Sequence, residues 1–432
     1  MRNILILGAG KSSIALIDYL IEHAQQEEWY ITVADVTADA ALHKTKGRAH
    51  TTAKGFNLQN DEERKALIAK ADIVVSMLPA AFHLTIAKDC IALKKNLVTP
   101  SYISDAMKAM NDEVAHNDLI FMNETGLDPG IDHMSAMELI EGLQARGCQI
   151  TGFKSNCGGL IAPVSDNNPW HYKFTWNPRN VVLAGQGEGK IRFRKNGELN
   201  ELSYEQLFSS AYKIDTGNYG VFESYPNRDS LKYISEYGLD EVATMYRGTL
   251  RVPPFCAGWN CLVKLGLTLE KEIPVTSIKK EEAEILNYLG INTATDEYQL
   301  LKYLELFERL KILTDKTVVP SVFLQKILEE KWQLKPGDKD MVVMVHEIDY
   351  VEAGKSKKLQ SSLVYTGKDE EHTAMAITVG LPVAMITKAI LNKQVNRRGV
   401  LMPKYAEIYT PVLKELKQYG ISFTEHITEL AN

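Results

Sequence analysis

Over the first 124 residues, short apolar runs alternate with stretches whose apolar positions fall three and four apart. The runs Ile4–Leu7, Ile31–Ala34, Ile73–Ser76, Leu97–Thr99 and Ile120–Met122 read as buried strands. Between them, Ser13–His23, Asp61–Lys70 and His83–Lys94 carry the spacing of one helix face. Strands separated by helices of this length need crossover connections, which are right-handed and leave the strands parallel. The pattern predicts an α/β fold that opens with a doubly wound parallel sheet.

The texture changes after Gly126-Leu127-Asp128-Pro129-Gly130. Asp132 is placed to cap a helix from His133 to about Ala145. Turn-rich segments (Cys157-Gly158-Gly159, Asp166-Asn167-Asn168-Pro169, Tyr225-Pro226-Asn227-Arg228) then alternate with strand-like ones such as Lys190–Arg194. Helix formers dominate from about Phe255 to Leu334, with helices expected at Glu281–Tyr288, Tyr298–Leu310 and Val322–Trp332. Met341–Tyr350 and Lys358–Thr366 alternate like two antiparallel strands joined at Gly354. Ala374–Lys388 and Ile408–Tyr419 read as helices. A second, mixed α/β domain is therefore expected, covering 126–254 and 337–394 and interrupted by a helical insertion at 255–336.

Composition adds mostly exclusions. The 432 residues are 45% apolar and 24% charged, which is ordinary for a globular chain of two or three domains. A net charge of −6 gives no basic field for nucleic acid. No uninterrupted apolar run of about 18 residues argues for a membrane span. The apolar run at Ile4–Leu7 is too short for a signal peptide and enters Gly8-Ala9-Gly10 directly. The five cysteines make no CxxC pair and no His/Cys metal spacing. Reduced thiols, a cytoplasmic location and no metal site are expected.

Gly8-Ala9-Gly10-Lys11-Ser12-Ser13 follows the first strand and opens the first helix. Gly8 permits the tight turn, Gly10 lets a pyrophosphate approach the helix N-terminus, and Ser13 takes the place of the usual third glycine. A Walker-type phosphate loop would need glycine where Leu5 stands, so that reading is excluded. Asp35, at the end of the second strand, is placed to accept ribose hydroxyls and to repel a 2′-phosphate. The turn predicts a Rossmann domain that prefers NAD, with NADP as the alternative.

Several downstream segments resemble the saccharopine dehydrogenases of the glutamate-forming kind. They are Ser76-Met77-Leu78-Pro79, Thr99-Pro100-Ser101-Tyr102, Asn123-Glu124-Thr125-Gly126-Leu127-Asp128-Pro129-Gly130-Ile131-Asp132-His133 and Cys157-Gly158-Gly159-Leu160-Ile161-Ala162-Pro163. Tyr172-Lys173-Phe174-Thr175-Trp176, Tyr225-Pro226-Asn227-Arg228-Asp229-Ser230, Arg247-Gly248-Thr249-Leu250-Arg251 and Val379-Gly380-Leu381-Pro382 continue the likeness, which is weakest over 265–335. Ser13, Thr125 and Ile161 depart from the family pattern without removing a charge or a glycine. The resemblance implies a Rossmann domain at 1–125 to which the segment 395–432 returns. It also implies oxidation of saccharopine, with water, to L-glutamate and 2-aminoadipate 6-semialdehyde in lysine metabolism, or the reverse.

That substrate carries three carboxylates and two amine groups. By resemblance its contacts are Ser101, Tyr102, Asp128, Asn177, Arg228, Thr249, Leu250 and Arg251. The two arginines suit bidentate carboxylate recognition, while Arg247 and Arg179 are weaker candidates. The cofactor contacts expected are Gly8, Gly10, Lys11, Ser12, Ser13, Asp35, Asn57, Leu58, Met77, Leu78, Pro79, Ser101, Gly126, Leu127 and Asp128. Met77–Pro79, Ser101 and Gly126–Asp128 follow strands at the edge where an open α/β sheet binds its ligand. Tyr102 and Asp128 are the candidate catalytic groups for the proton transfers of imine formation and hydrolysis. His133 and His171 attract attention as imidazoles, the side chain suited to proton transfer near physiological pH. A packing or capping role is favoured for His133, and nothing supports a nucleophilic Cys157. Competing readings are a carboxynorspermidine synthase-like dehydrogenase and a non-catalytic dinucleotide sensor. A homodimer is the expected assembly.

Overall fold

The computed structural model describes residues 1–186 and 190–430. The chain divides into two compact units, Met1–Arg146 with Glu371–Ser422, and Gly147–Glu370 with the residues from Phe423 onward.

The first unit is built on a parallel sheet of β1 (Arg2–Leu7), β2 (Trp29–Asp35), β3 (Thr51–Gly55), β4 (Ile73–Ser76), β5 (Asn96–Val98) and β6 (Ile120–Met122), with Gly399–Leu401 as a seventh strand. The order runs from 399–401 through β6, β5, β4, β1 and β2 to β3, and every pair is parallel. Ile4–Leu7 and Ile73–Val75 are buried on both faces, which is why they read as continuous apolar runs. Strands are added outward in opposite directions from β1 and β4, whose boundary is the topological switch point of such a sheet.

Domain boundaries differ from those expected. The helix Ile131–Ala145 and the helix Ala374–Leu391 belong to the first unit. Ala374–Leu391 passes the length and composition test for a membrane span, with a mean hydropathy of 1.8, yet 78% of it is buried. It packs on the helix Ile14–Ala24, and a Cβ on Gly380 would lie 2.7 Å from the Leu16 nitrogen. Its all-round apolar surface is that of a core helix. The C-terminal strand also goes elsewhere: Thr424–Glu429 joins the second sheet rather than returning to the first.

The second unit carries a mixed sheet of β7 (Gln149–Ile161), β8 (Ile191–Lys195), β9 (Glu198–Leu202), β10 (Tyr212–Asp215), β11 (Val221–Pro226), β12 (Thr244–Arg251), β13 (Asp340–Glu352), β14 (Lys355–Thr366) and β15 (Thr424–Glu429). The main path runs β10-β11-β12-β7-β13-β14-β15, with β8 paired to β12 and β9. Within it β12 and β7 are parallel, and the rest of the path is antiparallel. Side chains alternate across the sheet, so Thr249 and Arg251 share a face with Tyr225 and Cys157. Leu250 points the other way, into a core with Phe222, Val343 and Val345.

The helical insertion is present, with helices Phe255–Lys264, Glu282–Leu289, Asp296–Tyr303, Leu306–Lys311 and Pro320–Lys331. Its core is aromatic, Phe255 stacking on Trp259 at 5.4 Å and Trp170 meeting Trp332 at 5.2 Å. Trp170, Tyr172 and Phe174 come from the segment before it and are part of the same cluster.

The Gly380 contact sets the first expectation. Gly380→Ala places a methyl against backbone that cannot rotate away, an overpacking that costs about 1–3 kcal/mol. Urea denaturation should show the lower midpoint with an unchanged slope. An unchanged midpoint would mean that the two helices have room to part.

Candidate active site

β1 ends in the glycine turn. Gly8 sits at φ +102°, and a Cβ there would lie 2.9 Å from the Met77 carbonyl oxygen, so the turn and the loop after β4 meet main chain to main chain. Gly10 is exposed, and a Cβ there would touch nothing within 4 Å, which leaves its backbone open to a ligand. Ser13 is fully buried, and its hydroxyl donates to the Gly10 carbonyl at 2.8 Å. The residue standing for the third glycine thus ties the turn together. This cradle fits a pyrophosphate at the start of the helix that follows.

Asp35 does more than the sequence pattern suggested. Its carboxylate accepts from Ala9 N–H at 2.5 Å and from Val36 N–H at 2.7 Å, so it braces the glycine turn. Asn57 spends its side chain on a turn, accepting from Gln59 N–H at 3.0 Å, and Leu58 packs on the core beneath β4. Lys11 and Pro79 are exposed, Ser12, Met77 and Leu78 half-buried.

The loops after β5 and β6 are pinned to one another. Thr99 N–H donates to Met122 O at 2.9 Å, Glu124 N–H to Ser101 O at 3.0 Å, and Ile103 N–H to the Glu124 carboxylate at 2.9 Å. Glu124 therefore grips the chain on both sides of Tyr102, and does so from the left-handed region at φ 56°. Its other oxygen meets His133 Nε2 at 2.7 Å, and His133 Nδ1 lies 3.6 Å from Asp132. His133 is thus a buried member of a polar chain that holds the loop. Tyr102 O–H donates to Asp128 Oδ1 at 3.0 Å, which brings the two candidate catalytic groups together. Leu127 is buried and its carbonyl is taken by Asp132 N–H, while a Cβ on Gly130 would lie 2.0 Å from Gly126 O.

Sequence reasoning passed over His83. Its Nδ1 lies 2.9 Å from Ser76 Oγ, and its Nε2 lies 2.7 Å from Ser101 Oγ and 3.2 Å from Thr99 Oγ1. Burial pushes the imidazole down to about 4, so it is neutral at physiological pH. A lone histidine opening an amphipathic helix gives no sequence signal of this bridge.

In the second unit Arg251 stands out. It is 4% exposed and caged by Tyr172, Tyr225 and Phe255, whose ring centres lie 5.1, 5.6 and 5.2 Å from its guanidinium carbon. Nη1 donates to Leu250 O at 2.8 Å, whereas Nε has no partner and no described carboxylate forms an ion pair with it. Burial pushes the Tyr225 phenol up to about 12 against the pull of Arg251, so the cage supplies no anion. Thr249 is half-buried on the same face as Arg251. Leu250 has only its backbone to offer a ligand, because its side chain lies in the opposite core.

The other residues of that unit are dispersed. Asn227 N–H bonds Arg247 O at 2.8 Å, so exposed Arg228 lies beside Arg247, roughly 13 Å along β12 from Arg251. Asn177 is exposed and caps the helix Pro178–Val182. Arg179 pairs with Glu270 at 2.7 Å and reaches Ser321, a structural role. His171 pairs with Asp166 at 2.6 Å. Cys157 is buried between its β12 and β13 neighbours, and burial together with Glu223 holds the Cys256 thiol up.

Comparison with known proteins identifies the family. Residues 4–122 match the saccharopine dehydrogenase NADP binding domain and residues 126–421 the saccharopine dehydrogenase C-terminal domain. The saccharopine dehydrogenase [NADP(+), L-glutamate-forming] of Pyricularia oryzae is 33% identical over 99% of both chains, and that of Saccharomyces cerevisiae is 34% identical over 98% and 99%. The alpha-aminoadipic semialdehyde synthase of Arabidopsis thaliana is 31% identical over 98% of this chain, which spans 44% of that protein. The apo saccharopine dehydrogenase (L-Glu forming) structure from Saccharomyces cerevisiae matches with a TM-score of 0.85 at 31% identity, covering 99% and 100% of the two chains. The Legionella pneumophila homospermidine synthase, at 10% identity and a TM-score of 0.57, shares the fold. The names of the two fungal enzymes carry NADP(+), and the NAD preference read from Asp35 finds no support in them.

The neutral, buried His83 generates an expectation about pH. Its folded value lies below its unfolded one, so the unfolded chain takes up a proton first as pH falls from about 6.5 to about 4. Native stability should drop across that window by about 3 kcal/mol on account of this group. Replacing it by a group that does not titrate removes that part of the slope. Chemical denaturation of wild type and His83→Gln at pH 7, 5.5 and 4 checks this. Parallel pH profiles for the two proteins would mean that His83 is solvated enough to charge.

Proposed function

The chain belongs to the saccharopine dehydrogenase family, and from that premise we propose that it oxidises saccharopine to L-glutamate and 2-aminoadipate 6-semialdehyde, or runs the reverse condensation. The observation that carries the reading is Arg251. A buried guanidinium with an unused donor and no anionic partner is several kcal/mol out of balance until an anion arrives, and a substrate carboxylate meets that need. Carboxynorspermidine carries a carboxylate too, so it is the family match over the whole chain, rather than Arg251, that speaks against the carboxynorspermidine synthase-like alternative. A non-catalytic sensor would have no use for the Tyr102–Asp128 pair.

Bound nicotinamide dinucleotide supplies the hydride acceptor for the carbon beside the secondary amine. The chain's own residues do the rest. Gly8, Gly10 and Ser13 shape the pyrophosphate cradle. Asp128 offers its carboxylate to the positive charge of the amine and of the iminium formed on the substrate. Tyr102, donating to Asp128 Oδ1, keeps that carboxylate turned one way. Water completes the hydrolysis, and the buried Glu124–His133 pair holds the loop on which Tyr102 stands.

We assign NADP(H) as the preferred coenzyme, supported by the matched domain and the names of the fungal relatives. Initial rates with saccharopine and each coenzyme should give the higher kcat/KM with NADP. A clear preference for NAD would return Asp35 to the role of discriminator.

Arg251→Met tests the substrate reading. It keeps most of the side-chain volume and removes the charge, so stability without ligand should be equal or higher. Efficiency with saccharopine should fall by the equivalent of about 2–5 kcal/mol, with coenzyme affinity unchanged. An unfolded variant, or one with unaltered efficiency, would make Arg251 a structural residue.

A further inference from the structure

Ser76 closes β4, and the short turn Ala80–Phe82 brings the chain back so that His83 opens the next helix beneath that strand. Ser101 follows β5, the neighbour of β4. The His83 ring therefore spans the ends of two adjacent strands at the ligand edge. Both of its nitrogens meet hydroxyls: Ser76 Oγ at 2.9 Å on Nδ1, Ser101 Oγ at 2.7 Å on Nε2. Ser76 and Thr99 are shut off from solvent, and His83 is 5% exposed, whereas Ser101 is half-buried and retains an open side.

A neutral imidazole has one donor and one acceptor, so two arrangements are possible. If Nε2 is bare, the Ser101 hydrogen is drawn into the ring and Ser101 can only accept from a ligand. If Nε2 carries the hydrogen, it donates to Ser101 Oγ, Ser76 O–H donates to Nδ1, and the Ser101 hydrogen is left to turn outward. Thr99 Oγ1, 3.2 Å from Nε2, is then a second and longer acceptor. A ligand rich in carboxylates requires a donor, which selects the second arrangement.

We propose that His83 is a positioning residue, held as the Nε2–H tautomer, that orients the Ser101 hydroxyl as a donor toward a carboxylate of the substrate. The carboxylate rests on the reaction proposed above; the tautomer does not. A phenyl or leucine side chain would fill the space and lose the polarity.

Long-range proton–nitrogen correlation spectra of the 15N-labelled wild-type protein read the tautomer directly. The expected result is a protonated Nε2 and a bare Nδ1; a bare Nε2 overturns the proposal whatever the enzyme turns over. Kinetics supply the second arm. His83→Leu should raise KM for saccharopine roughly five- to tenfold, as loss of one oriented hydrogen bond does, and leave NADPH affinity unchanged. His83→Gln, whose amide can reach the Nε2 position, should recover most of that loss. In a Ser101→Ala background, His83→Leu should cost nothing further. Equal losses for Leu and Gln in both backgrounds would mean packing, and would also overturn the proposal. Failure of the underlying reaction would look different: wild type inert toward saccharopine, with the Nε2–H signal still in place.

Discussion

The ligand edge of the first unit depends on main chain lying against main chain. Gly8 abuts the Met77 peptide and Gly130 abuts Gly126, in both cases at positive φ and at distances no Cβ could share. Side chains can yield to strain by rotating, whereas these contacts cannot. The loops after β1, β4 and β6 are consequently fixed in position before any side chain is considered. The segment Thr99–Ile103 is fixed in turn by its backbone bonds to Met122 and Glu124. Ser101, Tyr102 and Asp128 project from a frame that has little freedom left to lose on binding, which is the economical way to present polar groups to a ligand.

Arg251 is handled differently from other buried cations, including Lys173 of its own unit, which pairs with Asp338 at 2.7 Å. In the first unit, Arg64 is matched by Asp89 at 2.6 Å, and the Glu124 carboxylate meets His133 Nε2 at 2.7 Å. Arg251 in the second is matched by aromatic faces and one carbonyl. Cation–π contacts of that kind contribute on the order of 0.5–2 kcal/mol each, less than the penalty for removing a guanidinium from water. The aromatic cage lowers the cost of holding Arg251 ready, and leaves the remainder for a bound anion to offset.

How much of this was legible in the sequence follows from which physical signals are local. β1, β4 and β6 were plain because both faces are buried and the residues are almost all apolar. β3 was not among the apolar runs, since Thr51-Thr52-Ala53-Lys54-Gly55 is an edge strand with half-exposed faces. Thr424–Glu429 is polar except for Ile427 and wholly exposed, so no apolar pattern marks its pairing with β14. The helix Ala374–Leu391 was recognised, but its place was not, because an all-apolar helix says that it is buried and not in which core. The glycine turn and the Tyr102–Asp128 pair lay in contiguous motifs and were readable. His83 and the Glu124 grip on Tyr102 join residues 18 and 21 positions from their partners, and only the folded loops bring them together.

Asp35 shows why a motif rule needs its surroundings. The rule treats the carboxylate as a free charge at the ribose, repelling a 2′-phosphate. Here each oxygen already accepts a backbone N–H, at 2.5 and 2.7 Å, which draws negative charge toward the turn. The helix Ala38–Thr45 begins three residues later, capped by Thr37, and its N-terminal dipole favours anions nearby. A carboxylate still has lone pairs left after two such bonds, so ribose hydroxyls can donate to it as well. Bracing the turn and receiving the ribose are therefore compatible, while repulsion of a second negative charge is weakened by everything that stabilises the first. An aspartate in this position is compatible with either coenzyme, and the choice passes to the groups that would surround the phosphate itself.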